Sequence, residues 1–178
     1  MTRREALVAA AAWAMAEYGP GECSARTVAA AADLPLAAVS YYFPRLDELL
    51  GLAAGRLVAG WLGHARAVAD SRVGTGPAVA IETLTTALLP SADPVAVRSR
   101  YELVLAASRS ESLAGPVAEL QAGLTRTSAD VLAGAELPDP PSPRTVRAAV
   151  DGAVLDALAR GDADLPAGAR GVLADLLA

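Results

Sequence analysis

Lysine and asparagine are absent from this sequence of 178 residues, and cysteine, histidine, phenylalanine and isoleucine occur once each, as Cys23, His64, Phe43 and Ile81. Each shortage closes a class of function. A lone cysteine forms no intrachain disulfide, fits a reducing cytosol, and is most often a small buried hydrophobe. With one histidine, no metal-ligand cluster, no Gly-rich phosphate loop and no acid–base pair at a recognisable spacing, a catalyst would have to be built from Arg, Asp, Glu and His64 alone. No enzyme activity, catalytic residue, metal or cofactor is therefore expected. The formal net charge of −5 gives no overall basic footprint. All fifteen basic residues are arginine, which reads as the codon bias of a GC-rich genome. No run is long and apolar enough to span a membrane. The start, MTRREALVAAAAWAMAEYG, has the two arginines and apolar run of a signal peptide, but Glu17 and the apolar period make it an amphipathic helix. A cytoplasmic chain is expected.

What is there is apolar: 53% of residues, mostly Ala, Leu and Val, against 20% charged. That is helix-forming vocabulary, poor in strand formers, and enough to bury the core of one modest domain or two small ones. Punctuation falls at residues 19–24, 70–77, 90–94, 134–143 and 160–168, and every segment between reads as helix. The spacing predicts helices over residues 3–18, 25–32, 35–42, 46–69, 77–89, 94–108, 113–132, 143–160 and 167–177. The fourth carries Leu50, Ala53, Leu57, Trp61, His64 and Val68 at helical spacing. The eighth carries Val146, Ala149, Val150, Ala153, Val154, Ala157 and Leu158. A second face of that helix, Ala148, Gly152 and Ala159, holds only small side chains. The fold class is all-α, about nine helices.

Residues 25–42 hold two short helices joined by a tight turn, with the dimensions of a helix-turn-helix. In that motif the second helix lies in a DNA major groove. Spacing alone also fits a plain helical corner. Three aromatics, Tyr41, Tyr42 and Phe43, stand side by side at its end. Successive helical residues point about 100° apart, so all three cannot face one core.

The run SARTVAAAADLPLAAVSYYFPRLDELL resembles the DNA-binding region of TetR-type (TetR/AcrR) transcriptional regulators. Its cap is Ser24, its Val-Ala pair Val28-Ala29 and its turn Ala32-Asp33-Leu34. Tyr42-Phe43 closes the recognition helix and Asp47-Glu48-Leu49-Leu50 opens the fourth helix. REALVAAAAWAMAEYG resembles the family's first helix, with Glu17-Tyr18-Gly19 at its end. Further on, RYELVLAASRSESLAGPVAEL and VDGAVLDALARG look like the variable C-terminal regulatory domain. Three positions depart from the pattern: Asp33 stands where glycine is frequent, Ser40 where the first tyrosine is usual, and Leu46 where a lysine is common, with Arg45 beside it.

The resemblance implies a DNA-binding domain over residues 1–46 and a ligand-binding and dimerisation domain over 47–178. It assigns DNA contacts to Arg3, Arg4, Ser24, Arg26, Thr27, Leu36, Ala37, Ser40, Tyr41, Tyr42 and Arg45, with Phe43 turned into the core. Tyr hydroxyls donate to phosphates, which fixes register; the alternative for Tyr41 is a ring at the helix end in solvent. Leu36 and Ala37 touch thymine methyls and make no bidentate bond to a purine. Arg26 reads a guanine or clamps a phosphate. Residues 1–50 hold four arginines and six carboxylates, a weak charge for a DNA reader.

The resemblance also implies an effector pocket, with Trp61, His64, Arg98 and Tyr101 as candidates and a largely apolar effector. Trp61 and Tyr101 read equally as core, and Arg98 as a surface charge. A homodimer is expected through Val146, Ala149, Val150, Gly152, Ala153, Val154, Ala157, Val172, Leu173 and Leu176. The expected function is a ligand-responsive repressor released from a palindromic double-stranded operator by a small molecule. The alternative is an all-α ligand- or partner-binding dimer that has lost DNA binding.

Overall fold

The computed structural model describes residues 1–178 apart from Val73 and Pro90. The expected breaks at 70–77 and 90–94 include these two positions, which lie outside the described residues. Among the described residues there are nine α-helices and no strand: α1 (Arg3–Tyr18), α2 (Ala25–Ala31), α3 (Leu36–Tyr42), α4 (Leu46–Ser71), α5 (Pro77–Leu88), α6 (Pro94–Ala106), α7 (Glu111–Gly134), α8 (Pro143–Arg160) and α9 (Leu165–Leu177), with one 3-10 turn at Pro20–Glu22. The chain forms two compact units. The first contains residues 1–60 and 95–120, the second residues 61–94 and 121–178. The helices α4 and α7 each contribute to both.

In the first unit α1 begins with a reciprocal cap. The Glu5 amide donates to Thr2 Oγ1 and the Thr2 amide donates to the Glu5 carboxylate, at 3.2 and 2.7 Å. Two otherwise orphaned N–H groups are thereby satisfied. The helix ends at Gly19, whose φ of +86° suits glycine; a Cβ there would also collide with the Glu102 carboxylate. Ser24 caps α2, accepting from the Thr27 amide at 3.1 Å. The turn to α3 places Asp33 at φ +52°, the left-handed region that Asp enters more readily than most residues. So aspartate makes the turn where the family resemblance led one to look for glycine. The α1, α2 and α3 faces close over Leu7, Ala11, Met15, Val28 and Val39, with Phe43 as the largest fully buried side chain.

Farther along the same unit, α7 carries Pro116 inside its run. Proline has no N–H, so the Ser112 carbonyl loses its i+4 donor. Gly51 of α4 lies against that carbonyl: a Cβ there would sit 2.9 Å from Ser112 O.

In the second unit α8 and α9 pack along their length and α5 packs on both. The core is Val146, Val150, Val154 and Ala157 of α8, Leu165, Ala169, Leu173 and Leu177 of α9, and Leu84 and Leu88 of α5. Ser142 and Asp164 cap α8 and α9 through the Thr145 and Ala167 amides.

The periodic stripe on α4 falls differently from expectation. The buried residues are Leu49, Ala53, Ala54, Val58, Leu62 and Ala65, while Leu50, Leu57, Trp61, His64 and Val68 are half-buried. The helix is apolar over more than half its circumference, and a period alone does not choose which side faces the core.

Candidate nucleic-acid interface and ligand site

The outer face of α3 is made by Leu36, Ala37, Ser40 and Tyr41, all exposed. Tyr41 is 79% exposed and its ring meets that of half-buried Tyr42 edge-on, 5.0 Å between centroids. Arg3, Leu34, Pro35, Ala37, Ala38 and the two tyrosines line one shallow concavity. Neither tyrosine hydroxyl has a hydrogen-bond partner among the described residues, so both are free to donate. Phe43, one residue on, is 2% exposed. The three adjacent aromatics therefore divide between core and surface, as their 100° spacing requires.

The arginines differ in how they are engaged. Arg3 and Arg26 are exposed and make no ion pair among the described residues. Arg4 reaches back across the unit: Nη2 lies 3.4 Å from Glu48 Oε1, and the guanidinium carbon sits 4.9 Å from the Phe43 ring centroid. Arg45 Nη2 lies 3.8 Å from Asp47 Oδ2. Both pairs are solvent-exposed, and such pairs contribute only about 0–1 kcal/mol. The hydroxyls of Ser24 and Thr27 bond each other at 2.8 Å, and Thr27 Oγ1 also donates to the Glu22 carbonyl at 3.2 Å. They hold the start of α2 and leave Arg26 pointing outward from its first turn.

The four residues singled out for the ligand site are unlike one another. In the second unit, Trp61 and His64 are half-buried on α4. His64 Nε2 donates to the Thr86 carbonyl at 3.1 Å. Thr86 is in the last turn of α5, and the chain has proline four residues on, which offers no amide hydrogen. The imidazole thus supplies a donor that the helix end lacks. In the first unit, Tyr101 is buried, whereas Arg98 is exposed and pairs with Glu102 at 3.6 Å. The buried arginine of α6 is Arg100, 4% exposed. Its Nη2 donates to Tyr101 Oη at 3.1 Å. Sequence reading passed over Arg100; the signal was its place with Val97, Tyr101 and Leu103 on the buried side of α6.

Of the residues singled out for the dimer, Val146, Val150, Val154, Ala157 and Leu173 lie in the core of the second unit, Ala149, Ala153, Val172 and Leu176 are half-buried, and Gly152 is exposed. Beside the exposed polar residues Arg144, Thr145, Asp156 and Arg160, α8 shows Ala148, Gly152, Leu155 and Ala159 to solvent, and beside Asp175, α9 shows Ala167, Gly171 and Ala174. Both sets are spaced at i, i+4, i+7.

Cys23 offers no nucleophile. Burial, then the neighbouring Glu22 carboxylate, pushes its thiol up to about 11, and its Sγ is 3.8 Å from the Ala11 carbonyl. Among the described residues no group of three His, Cys, Asp or Glu side chains could hold a metal, and no helix is long and apolar enough to cross a membrane.

Residues 75–178 match the family model described as Tetracyclin repressor-like, C-terminal domain. The chain belongs to the TetR family. Solved structures agree. It is similar to multidrug binding protein EbrR complexed with ethidium, at 31% identity over 99% of both chains with a TM-score of 0.72. A TetR-family member from Streptomyces coelicolor A3 is 29% identical, over 100% of this chain and 99% of that one, with a TM-score of 0.68. A transcriptional regulator from Rhodococcus sp. Rha1 is 26% identical, over 99% and 96%, with a TM-score of 0.78. No curated protein matches. TetR-family proteins are transcription regulators, not enzymes, and the all-helical fold is theirs.

Proposed function

We propose that this chain is a homodimeric repressor that binds a palindromic operator through α3 and leaves it when a small, largely apolar effector binds. The observation that carries the DNA reading is the α3 face: two tyrosine hydroxyls and Arg3, without hydrogen-bond or ion-pair partners among the described residues, on a helix end anchored from beneath by Phe43. Tyr41, Tyr42, Arg3 and Arg26 hold phosphates, and Leu36 and Ala37 meet thymine methyls. Ser24 and Thr27 hold α2 in place; Ser40, Arg4 and Arg45 are further backbone contacts.

For the effector, the support is the relative crystallised with ethidium, proflavin and malachite green. All three carry several aromatic rings, and the aromatic and polar contacts we assign to such a molecule are Trp61 and His64 of the second unit and, separately, Tyr101 and Arg98 of the first. For the dimer, the support is the exposed small-residue faces of α8 and α9, which let a second copy approach closely around a two-fold axis. Val172 and Leu176 border that face.

A ligand shifts a two-state protein only by its differential affinity for the two states, and the effect is reciprocal. The DNA-bound recognition helices sit about 34–36 Å apart or a multiple of it, so a modest spread abolishes the fit. Fluorescence anisotropy with DNA from upstream of the chain's own coding region tests the scheme. Binding is expected at low salt and is lost when an effector is added; an effector that binds without changing operator affinity refutes the release step. A second reading, a dimer without DNA binding, draws on one observation: Arg4 and Arg45 are already paired with Glu48 and Asp47. Absence of any DNA binding at low salt would decide for it.

A further inference from the structure

The α3 helix, Leu36–Tyr42, holds no arginine, histidine, amide or carboxylate. The carboxylate nearest in sequence, Asp33, is in the turn before it. Val39 points into the core, and Ala38 and Tyr42 are half-buried. Leu36, Ala37, Ser40 and Tyr41 remain exposed, Leu36 to 48%. They fall at i, i+1, i+4 and i+5, which is one side of a helix.

In the major groove a base pair is told from the others by bidentate hydrogen bonding or by the thymine methyl. Bidentate bonding needs a guanidinium, an amide or a comparable group, and α3 has none. A serine hydroxyl bonds donors and acceptors alike, so Ser40 separates no base from another. The Tyr41 hydroxyl is assigned above to phosphate. What α3 offers the bases is hydrocarbon: the branched end of Leu36 and the Ala37 methyl, continued by Leu34, Pro35 and Ala38 in the adjoining concavity. Cα atoms of consecutive residues are about 3.8 Å apart and stacked bases about 3.4 Å, so Leu36 and Ala37 match methyls on neighbouring pairs.

We infer that the operator is recognised through pyrimidine C5-methyl groups: α3 selects two neighbouring thymines in each half-site, and 5-methylcytosine replaces them where cytosine does not. This rests on the DNA-binding reading above and deepens it by naming what the recognition face selects. The one guanidinium of α2 and α3 is Arg26, exposed in the first turn of α2, and it is all that the two helices have for a guanine edge. Selection per pair is mild. Burying one methyl changes affinity about fourfold, whereas a good bidentate bond changes it about tenfold or more. The all-arginine composition was taken above as the mark of a GC-rich genome. There neighbouring thymines are scarce, and the frequency of competing sites matters as much as the affinity ratio.

The test uses the full chain and a pool of duplexes randomised over about three helical turns. Selection at low salt is expected to return an inverted repeat with two adjacent thymines on one strand of each half-site. The recovered duplex is then made with thymine, deoxyuridine, 5-methylcytosine or cytosine at those positions, the last two paired with guanine. Deoxyuridine keeps every hydrogen-bonding group of thymine and lacks only the methyl. By fluorescence anisotropy each thymine replaced by deoxyuridine weakens binding about fourfold. The salt slope stays the same, because no phosphate contact is touched. 5-Methylcytosine binds more tightly than cytosine by a similar factor. Leu36→Ala, at an exposed position, brings the thymine-to-deoxyuridine ratio toward one at one pair of each half-site. A loss caused by altered duplex stiffness persists in that variant. Any of four results overturns the inference: a selected motif of G·C pairs without thymine, deoxyuridine duplexes bound as tightly as thymine ones, 5-methylcytosine bound no better than cytosine, or a thymine-to-deoxyuridine ratio that Leu36→Ala leaves intact. A pool that binds but returns no motif also overturns it and leaves DNA binding standing; a pool of which no duplex binds even at low salt removes both.

Discussion

Replacing Glu48 with glutamine should make DNA binding tighter and more sensitive to salt. Each phosphate neutralised by a cation contributes about −0.9 to the slope of log affinity against log salt concentration. Arg3 and Arg26 make no ion pair among the described residues, which gives four ready cations per dimer and a slope near −3.6. Arg4 and Arg45 already neutralise Glu48 and Asp47 at 3.4 and 3.8 Å. A phosphate that takes either arginine must displace a carboxylate, and the freed carboxylate then lies near the DNA. With all eight arginines engaged the slope approaches −7. Glu48→Gln removes the competitor for Arg4 in both subunits, so the slope should steepen by about 1.8. Because an exposed pair is worth at most about 1 kcal/mol, the affinity gain is no more than about fivefold per subunit. Fluorescence anisotropy with a short palindromic duplex at five or six salt concentrations measures slope and affinity together. A wild-type slope already near −7, or a Glu48→Gln slope equal to that of wild type, would show that Arg4 is not held back by Glu48.

Tyr42→Phe should weaken binding to every DNA sequence and leave the salt slope unchanged, since a hydroxyl holds position without releasing ions; the same titrations read it. Gly51→Ala puts a methyl 2.9 Å from the Ser112 carbonyl; overpacking of about 1–3 kcal/mol outweighs the gain of up to about 1 kcal/mol in helix propensity, and calorimetry should show a lower melting temperature. Gly152 has open space around it, so Gly152→Trp should keep helical content by circular dichroism while sedimentation shows monomers; an intact dimer rules that face out. Between pH 9 and 11 the Cys23 thiol ionises in the unfolded chain before the folded one, whose value is raised to about 11. Its contribution to stability is complete below pH 9 and falls as pH rises, and Cys23→Ala should flatten that part of a denaturant-midpoint profile.

How far the fold was legible depends on which physical rule governed each element. The α8 bounds, Pro143–Arg160, were readable because Ser142, Pro143 and Gly161 are strong start and stop signals. The α2 and α3 helices were readable from a serine cap and a proline on each side. The start of α7 came out at Glu111 rather than Leu113, and the helix runs through Pro116, whose missing N–H leaves the Ser112 carbonyl without its i+4 donor. Periodicity misjudged the buried side of α4, where Leu49, Val58 and Leu62 face inward and Leu50 and Leu57 flank them. It also marked Val146, Val150 and Val154 as free for a partner, although the chain's own α9 and α5 cover them. Apolar spacing reports that a face is buried, not whether the same chain or another one buries it. Among charges, Arg98 and Arg100 are indistinguishable by composition, and only the helix phase of α6 separates the exposed one from the buried one. The buried Thr85 hydroxyl, without a hydrogen-bond partner among the described residues, had no sequence signature, because Thr83 and Thr86 beside it donate to the Val79 and Glu82 carbonyls of the same helix.

The two tryptophans fall one to each compact unit, Trp13 exposed on α1 and Trp61 half-buried on α4. The chain therefore contains one spectroscopic reporter for each unit. Trp13, in edge contact with Tyr18 at 5.5 Å, emits from a water-facing site and Trp61 from a drier one. A denaturant titration of the single-tryptophan variants Trp13→Phe and Trp61→Phe follows each unit alone. Coincident midpoints would mean that the helices shared by both units, α4 and α7, enforce a single cooperative transition. Separated midpoints would mean that the first unit can loosen while the second stays folded, or the reverse.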